Sequence, residues 1–120
     1  MRTYKVLTVR QPWAHLIIEG IKPVENRTWC TDYRGPLLIH AAKAYHTDRN
    51  IEALYDLEKD DLIRGAIIGI VDLIDIVTKH RSAFFDGPYG WVLSRPRRLR
   101  PVPLKGQLKL YDARVSLRAA

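Results

Sequence analysis

The alternation of apolar and polar residues along the chain predicts a fold in which strands outnumber helices. Residues 4–9 (YKVLTV) alternate between the two classes and are rich in β-branched side chains, which is typical of a strand. Residues 67–77 are apolar on both faces, so this strand is expected at the centre of the fold. Further strands are predicted over residues 24–29, 37–41, 89–93 and 108–115.

Two short helices interrupt the predicted strands. Pro12 begins the first, because its missing N–H costs nothing in a first turn, and Gly20 follows its end, where a left-handed residue is favoured. Trp13, Leu16 and Ile17 share one face of this helix, and we expect Trp13 to belong to the core.

The second helix is predicted to start after a capping residue, either Thr47 or Asp48. Its apolar positions recur at helical spacing. The face expected to turn inward consists of Ile51, Leu54 and Tyr55.

These elements predict one α+β domain over residues 1–120. Helices are missing between most strands, which excludes a doubly wound α/β sheet and favours a small mixed β-barrel with peripheral short helices. No apolar run approaches the ~20 residues that span a bilayer, so no membrane partner is expected. Cys30 is the single cysteine, which excludes an internal disulfide and favours a cytoplasmic location.

Positive charge is concentrated in the second half of the chain. Residues 61–120 hold 11 Lys/Arg against 5 Asp/Glu, and the whole chain carries a net charge of +7. Five cations in a proline-rich, extended stretch are predicted to contact a nucleic-acid backbone: Arg95, Arg97, Arg98, Arg100 and Lys105. Lys109 continues this series. A solvated basic loop in a protein of high pI is the alternative.

The segment Gly20-x-Lys22-x-x-Glu25-x-Arg27 is the first candidate for chemistry. If residues 24–29 are extended, Glu25 and Arg27 share a face, and Lys22 lies on the loop before them. A carboxylate held between two cations can accept a proton or a hydrogen bond from a base edge, while the cations can hold a phosphate. The alternative is a surface ion-pair cluster that contributes less than ~1 kcal/mol per pair.

Two further polar residues stand out against apolar surroundings. Gln11 precedes a helix start and is expected to make a polar contact there. His40 lies inside an apolar strand, where a histidine satisfied by a backbone partner is the commoner outcome. The cysteine and the histidines lack the spacing of a metal site, and no glycine-rich phosphate loop is present, so neither a metal nor a cofactor is expected.

Three blocks of the chain, in this order, carry a resemblance to a known family. They are residues 8–14 (TVRQPWA), 20–29 (GIKPVENRTW) and 33–41 (YRGPLLIHA), and the match continues over residues 68–72, 89–93 and 103–106. Together they resemble the ASCH (activating signal cointegrator homology) domain of the PUA-like superfamily. The resemblance covers nearly the whole chain.

This resemblance implies a PUA-like β-barrel with a cleft beside the first helix, in a family of RNA-binding modules linked to transcription coactivation, RNA processing or translation. The family signature would line that cleft with Lys22, Glu25 and Arg27, with Gln11 and His40 as neighbours. RNA or a nucleotide is therefore the expected partner, with DNA as another candidate. The basic stretch leaves a third class of function open, a protein-interaction adaptor in which that stretch meets an acidic partner.

Hydrolysis is the enzymatic alternative that the resemblance implies. Relatives that deacylate N4-acetylcytidine use a lysine, a threonine three residues later and a distant glutamate; Lys22 fits, but Glu25 replaces the threonine and no glutamate follows Glu58. Cleavage of single-stranded RNA demands less: Glu25 as base, Lys22 and Arg27 as electrostatic partners, and His40 as acid. The sequence favours binding over either reaction.

Overall fold

The computed structural model describes residues 1–120 and contains six strands in one mixed sheet. In chain order the elements are β1 (Arg2–Gln11), α1 (Trp13–Ile18), β2 (Val24–Arg27), β3 (Gly35–Tyr45), α2 (Arg49–Leu54), a 3₁₀ turn (Lys59–Asp61), β4 (Ala66–Val77), β5 (Tyr89–Pro103) and β6 (Leu110–Val115). Neither helix exceeds six residues, and none has the length and apolar character needed to cross a bilayer. A mixed sheet with two short helices agrees with the α+β class.

The sheet is open in its strand pairing. Its order is β2-β5-β4-β3-β1-β6, so the edge strands β2 and β6 do not pair with each other, and the predicted closure into a barrel is not confirmed. A side chain bridges part of the gap instead: Arg27 Nη2 of β2 donates to the Thr8 carbonyl of β1 at 2.8 Å. Thr8 lies just past the last β1–β6 pair, Leu7 with Leu110. The sheet therefore curls until an arginine can span its two sides.

Because the sheet curls, apolar side chains are buried on both of its faces. Leu7 of β1 belongs to a cluster that includes Ile17 of α1 and Trp91 of β5. The next residue back, Val6, belongs to a second cluster with Leu38 of β3. Successive residues of a strand point to opposite faces, so a strand apolar at both positions is required where both faces are covered.

Several bounds differ from the prediction: β2 ends at Arg27 and not at residue 29, β3 extends over Gly35–Tyr45 and not only 37–41, and β6 starts at Leu110 and not at residue 108. Two further differences bear on the site. Strand β5 is longer than the expected 89–93, because the proline-rich stretch continues to pair with β4 as far as Pro103. Asp48 does cap α2, accepting from Ile51 N at 3.1 Å, yet no residue of the helix is buried and Leu54 is 70% exposed. The apolar face predicted to pack inward instead borders a cavity.

Candidate ligand-binding site

A tight turn after α1 places Lys22. The amides of Ile21 and Lys22 both donate to the Leu16 carbonyl at 3.0 Å, and Gly20 adopts the left-handed φ of 79° that this turn requires. The next residue, Pro23, is tied to β5 because its carbonyl accepts from an amide of that strand at 2.9 Å. The turn is therefore held at both ends.

Lys22, Glu25 and Arg27 form one hydrogen-bonded cluster, as the spacing predicted. Lys22 Nζ donates to Glu25 Oε1 at 2.9 Å and to the Val24 carbonyl at 2.6 Å. Arg27 Nε and Nη2 lie 3.0 and 2.8 Å from Glu25 Oε2. The exposed fractions of the three side chains, in chain order, are 4%, 10% and 22%, so this is not a surface ion-pair cluster. We call it the ion cluster.

The ion cluster retains both charge and hydrogen-bonding capacity. Two cations and one carboxylate leave a net charge of +1. Lys22 has three ammonium protons and uses two in hydrogen bonds; its Nζ lies 5.9 Å from the centroid of the Trp13 ring. Arg27 Nη1 makes no hydrogen bond within the chain. These donors can serve an anionic or carbonyl-bearing ligand.

Lys22 and Glu25 of the ion cluster line a cavity of about 530 Å³ between α1, β2, α2 and the loop before β5, which we call the Lys22 cavity. Arg27 lies outside it, on a neighbouring cavity that shares Glu25. Three aromatic rings line it, those of Trp13, Tyr55 and Phe84. Its polar lining includes Asn26, His46 and Asp48. Ligand sites commonly measure ~300–1,000 Å³ and combine an apolar wall with a few fixed polar groups.

Asn26 builds the wall of this cavity and was missed by the sequence analysis. Its Nδ2 donates to the Phe84 carbonyl at 2.9 Å, while its Oδ1 accepts from the amides of Asp86 and Gly87 at 2.8 and 3.0 Å. These partners are some 60 residues away in sequence. The residues around Asn26 in sequence do not predict these contacts. The only feature that could have pointed to a role for Asn26 is its position within the signature segment.

Trp13 and Gln11 lie on different sides of helix α1. Trp13 is half-buried and packs against the core as expected, but it also lines the Lys22 cavity. Gln11 makes the expected polar contact within the protein: its Oε1 accepts from His15 N and its Nε2 donates to the Ile63 carbonyl, both at 2.8 Å. It borders a separate cavity of about 220 Å³, so the structure does not bring Gln11 to the ion cluster.

His40 is almost fully buried and has a partner at each ring nitrogen. A carbonyl can only accept, so Nε2 donates to the Leu104 carbonyl at 2.6 Å, and Nδ1 lies 3.2 Å from Thr8 Oγ1. Thr8 Oγ1 is in turn 2.8 Å from the Tyr111 hydroxyl, whose pKa is raised above its ordinary value by burial. His40 lines a cavity other than the Lys22 cavity. No group of three or more His, Cys, Asp or Glu side chains is placed to hold a metal ion.

The predicted arginine series is divided among several partners. Arg95 and Arg97 both reach Asp72 of β4, at 3.4 and 3.3 Å, and Arg98 pairs with Glu19 after α1. Arg100 lies with Arg98 on the small cavity beside α1. The carboxylates come from other elements, which is why the stretch contains no acid in sequence.

Lys105 lies apart from these arginines, on the cavity that contains His40. Contact of these residues with a nucleic acid stays a prediction.

Comparison with known proteins identifies the class. The ASCH domain family matches residues 7–97, and the chain belongs to this family. It is similar to Activating signal cointegrator 1 of Homo sapiens, with 32% identity over 124 residues, and to the Mus musculus protein of the same name, with 30%. Each alignment covers 88% of this chain and 21% of the relative, so the chain spans about a fifth of the length of the curated relatives that it matches.

Solved structures agree on the fold. The crystal structure of ASCH from Zymomonas mobilis superposes with a TM-score of 0.65 at 17% identity, covering 92% of this chain and 87% of that one. A mutant of the Zymomonas mobilis protein gives a TM-score of 0.55 at 19% identity, covering 86% and 77%. At this level of identity the likeness concerns the fold alone.

Proposed function

We propose that this chain binds RNA or a nucleotide-like ligand in the Lys22 cavity. The observation that carries the proposal is the ion cluster: three charged side chains are mostly withdrawn from solvent, and two of them, Lys22 and Glu25, line an aromatic-walled cavity. Withdrawing ions from water costs several kcal/mol each, and an apolar cluster of similar volume often stabilises a fold as well or better. Ligand binding therefore explains the presence of these buried charges better than fold stability does.

The cavity chemistry suits one nucleotide. A base can stack on Trp13, Tyr55 or Phe84, since every base has a π-face and such stacking contributes ~1–3 kcal/mol. Glu25 keeps acceptor capacity, because a carboxylate offers about four positions and Lys22 and Arg27 make two hydrogen bonds and one further ion-pair contact to it. Its carboxylate can therefore accept from an exocyclic amine of a base. The free donor of Lys22 in this cavity fits a base carbonyl or a phosphate, and Arg27 Nη1, which lies outside the cavity, can meet an adjoining phosphate.

The test is affinity for single-stranded RNA at low salt, measured by filter binding. We expect Lys22→Ala and Arg27→Ala each to weaken binding at least tenfold, which corresponds to ~1.4 kcal/mol. Lys5→Ala is the matched control, because Lys5 also pairs with a carboxylate at 2.9 Å but lies at the β1–β6 edge. Unchanged affinity in both cluster variants would show that RNA does not bind at the ion cluster and would refute the proposal. An adaptor that meets an acidic protein should tolerate both cluster variants and lose its partner in a pull-down only when the arginines of β5 are replaced.

Hydrolysis of RNA or of N4-acetylcytidine is the alternative, and Glu25 separates it from binding. A binding site leaves both substrates intact by mass spectrometry after long incubation. An enzyme converts one of them, and Glu25→Gln abolishes turnover while binding survives. The proposed acid, His40, lines a different cavity and has both ring nitrogens engaged, so no observation favours the reaction over binding.

A further inference from the structure

Two further cavities continue from the Lys22 cavity across the surface. The first, of about 370 Å³, shares Trp13 and Glu25 with the Lys22 cavity and also contains Arg27. The second, of about 860 Å³, shares four lining residues with the first: Thr8, Ala42, Gln107 and Leu108. The two form one depression from the ion cluster to the loop over residues 104–109, which we call the Lys105 groove.

The charge of the Lys105 groove is strongly one-sided. Arg10, Lys43, Lys105 and Lys109 line it, all four are exposed, and none makes an ion pair. Its single carboxylate is Glu25, which the ion cluster already neutralises. The arginines of β5 differ, because three of them are paired with carboxylates.

The loop that carries two of these lysines is held down from beneath. The Leu104 carbonyl accepts from His40. Gly106 lies so close that an added Cβ would be 3.1 Å from His40 Cε1 and 3.2 Å from Thr8 Oγ1. The loop therefore rests on the β1–β3 pair, and His40 positions it. Leu108 stands at the rim of the groove with 92% of its surface exposed.

We infer that the Lys105 groove carries the sugar-phosphate backbone of a single-stranded nucleic acid whose neighbouring base occupies the Lys22 cavity. The inference rests on the proposed function and extends it from one nucleotide to a strand. A recessed cavity admits a base only when that base is unstacked, which a single strand permits at low cost. Unpaired cations along a concave path are the usual means of following phosphates, and an aromatic residue at one end supplies the stacking.

The test is the salt dependence of binding to a labelled single-stranded RNA of about 12 nucleotides, followed by fluorescence anisotropy. Each neutralised phosphate contributes ~0.7 to the slope of log K against log salt for a single strand. Replacing Arg10, Lys43, Lys105 and Lys109 with Gln should lower that slope by up to about 3. The arginine series of β5, for which the sequence also predicts nucleic-acid contact, is the rival path. Replacing Arg95, Arg97, Arg98 and Arg100 with Gln together gives a comparison variant of equal charge change, and if the groove carries the backbone its slope should fall by less than about 1. Equal falls, or a larger fall in the comparison variant, overturn the inference.

Binding of single nucleoside 5′-monophosphates separates the two proposals. The groove variant should bind the best monophosphate within about twofold of the parent, because that ligand does not reach the groove; an equal loss for monophosphate and strand overturns the inference. Lys22→Ala should weaken both ligands. If Lys22→Ala changes the affinity for neither ligand while the groove variant still lowers the slope, the proposed function is refuted and the role of the Lys105 groove in binding the backbone is retained. A DNA strand of the same sequence tests whether the 2′-hydroxyl is read.

Discussion

The ion cluster predicts a large loss of stability on one substitution, because Glu25 is its single anion and pairs with both of its cations. Glu25→Gln preserves the shape of the side chain and removes its charge. Breaking a buried ion pair by removing one partner costs ~3–5 kcal/mol. Lys22 keeps the Val24 carbonyl and Arg27 keeps the Thr8 carbonyl, so we expect the lower limit, about 3 kcal/mol. For a domain of this length each kcal/mol shifts Tm by roughly 4 °C, so Tm should fall by about 12 °C.

Thermal unfolding followed by circular dichroism, with a double-mutant cycle, measures this effect. Lys22→Met removes the ammonium that the first substitution leaves without its anion. The double variant Lys22→Met/Glu25→Gln should therefore be more stable than the sum of the two single effects allows, by at least about 1 kcal/mol. Two results refute the reasoning: a Tm for Glu25→Gln within about 3 °C of the parent, or strict additivity in the cycle.

Two other variants test separate contacts. Asn26→Ala leaves the Phe84 carbonyl and the amides of Asp86 and Gly87 without their partner; we expect a loss of about 1–3 kcal/mol and faster amide exchange in that loop, and unchanged exchange would contradict its role as the cavity wall. Burial and the hydrogen bond to Glu52 raise the pKa of Tyr45 to about 12. Its folded pKa is above the unfolded value of ~10, so this contribution to stability is complete below pH ~10 and is lost as pH rises toward 12; the absorbance titration of Tyr45→Phe should lack one late tyrosine, and loss of an ordinary tyrosine instead would refute the shift.

The candidate site shows which contacts can be predicted from local spacing. Glu25 and Arg27 are two residues apart on a strand, so they share a face in any fold that keeps that strand. Lys22 reaches them because a glycine turn returns the chain to the sheet. The role of Asn26 was not predictable in this way, since its partners belong to a loop that only the pairing of β2 with β5 brings near.

The arginines of β5 illustrate the opposite case. Their local sequence contains no acid, and the inference of a continuous positive stripe followed from that fact. Asp72 and Glu19 reach them from β4 and from the end of α1. Charge balance at a surface depends on which strands lie side by side. Two residues 25 positions apart in sequence, such as Asp72 and Arg97, can therefore form an ion pair.

The sequence by itself determined the strand pattern, the two short helices and the ion cluster, and it narrowed the cap of the second helix to Thr47 or Asp48, because each depends on backbone preferences and spacings within a few residues. Only the tertiary structure decided that the sheet stays open, that the inward face of α2 borders a cavity, and that the unpaired cations lie along the Lys105 groove. These features arise where segments distant in sequence come into contact. Such contacts are stabilised by burial and charge pairing across the whole fold, which local sequence does not specify.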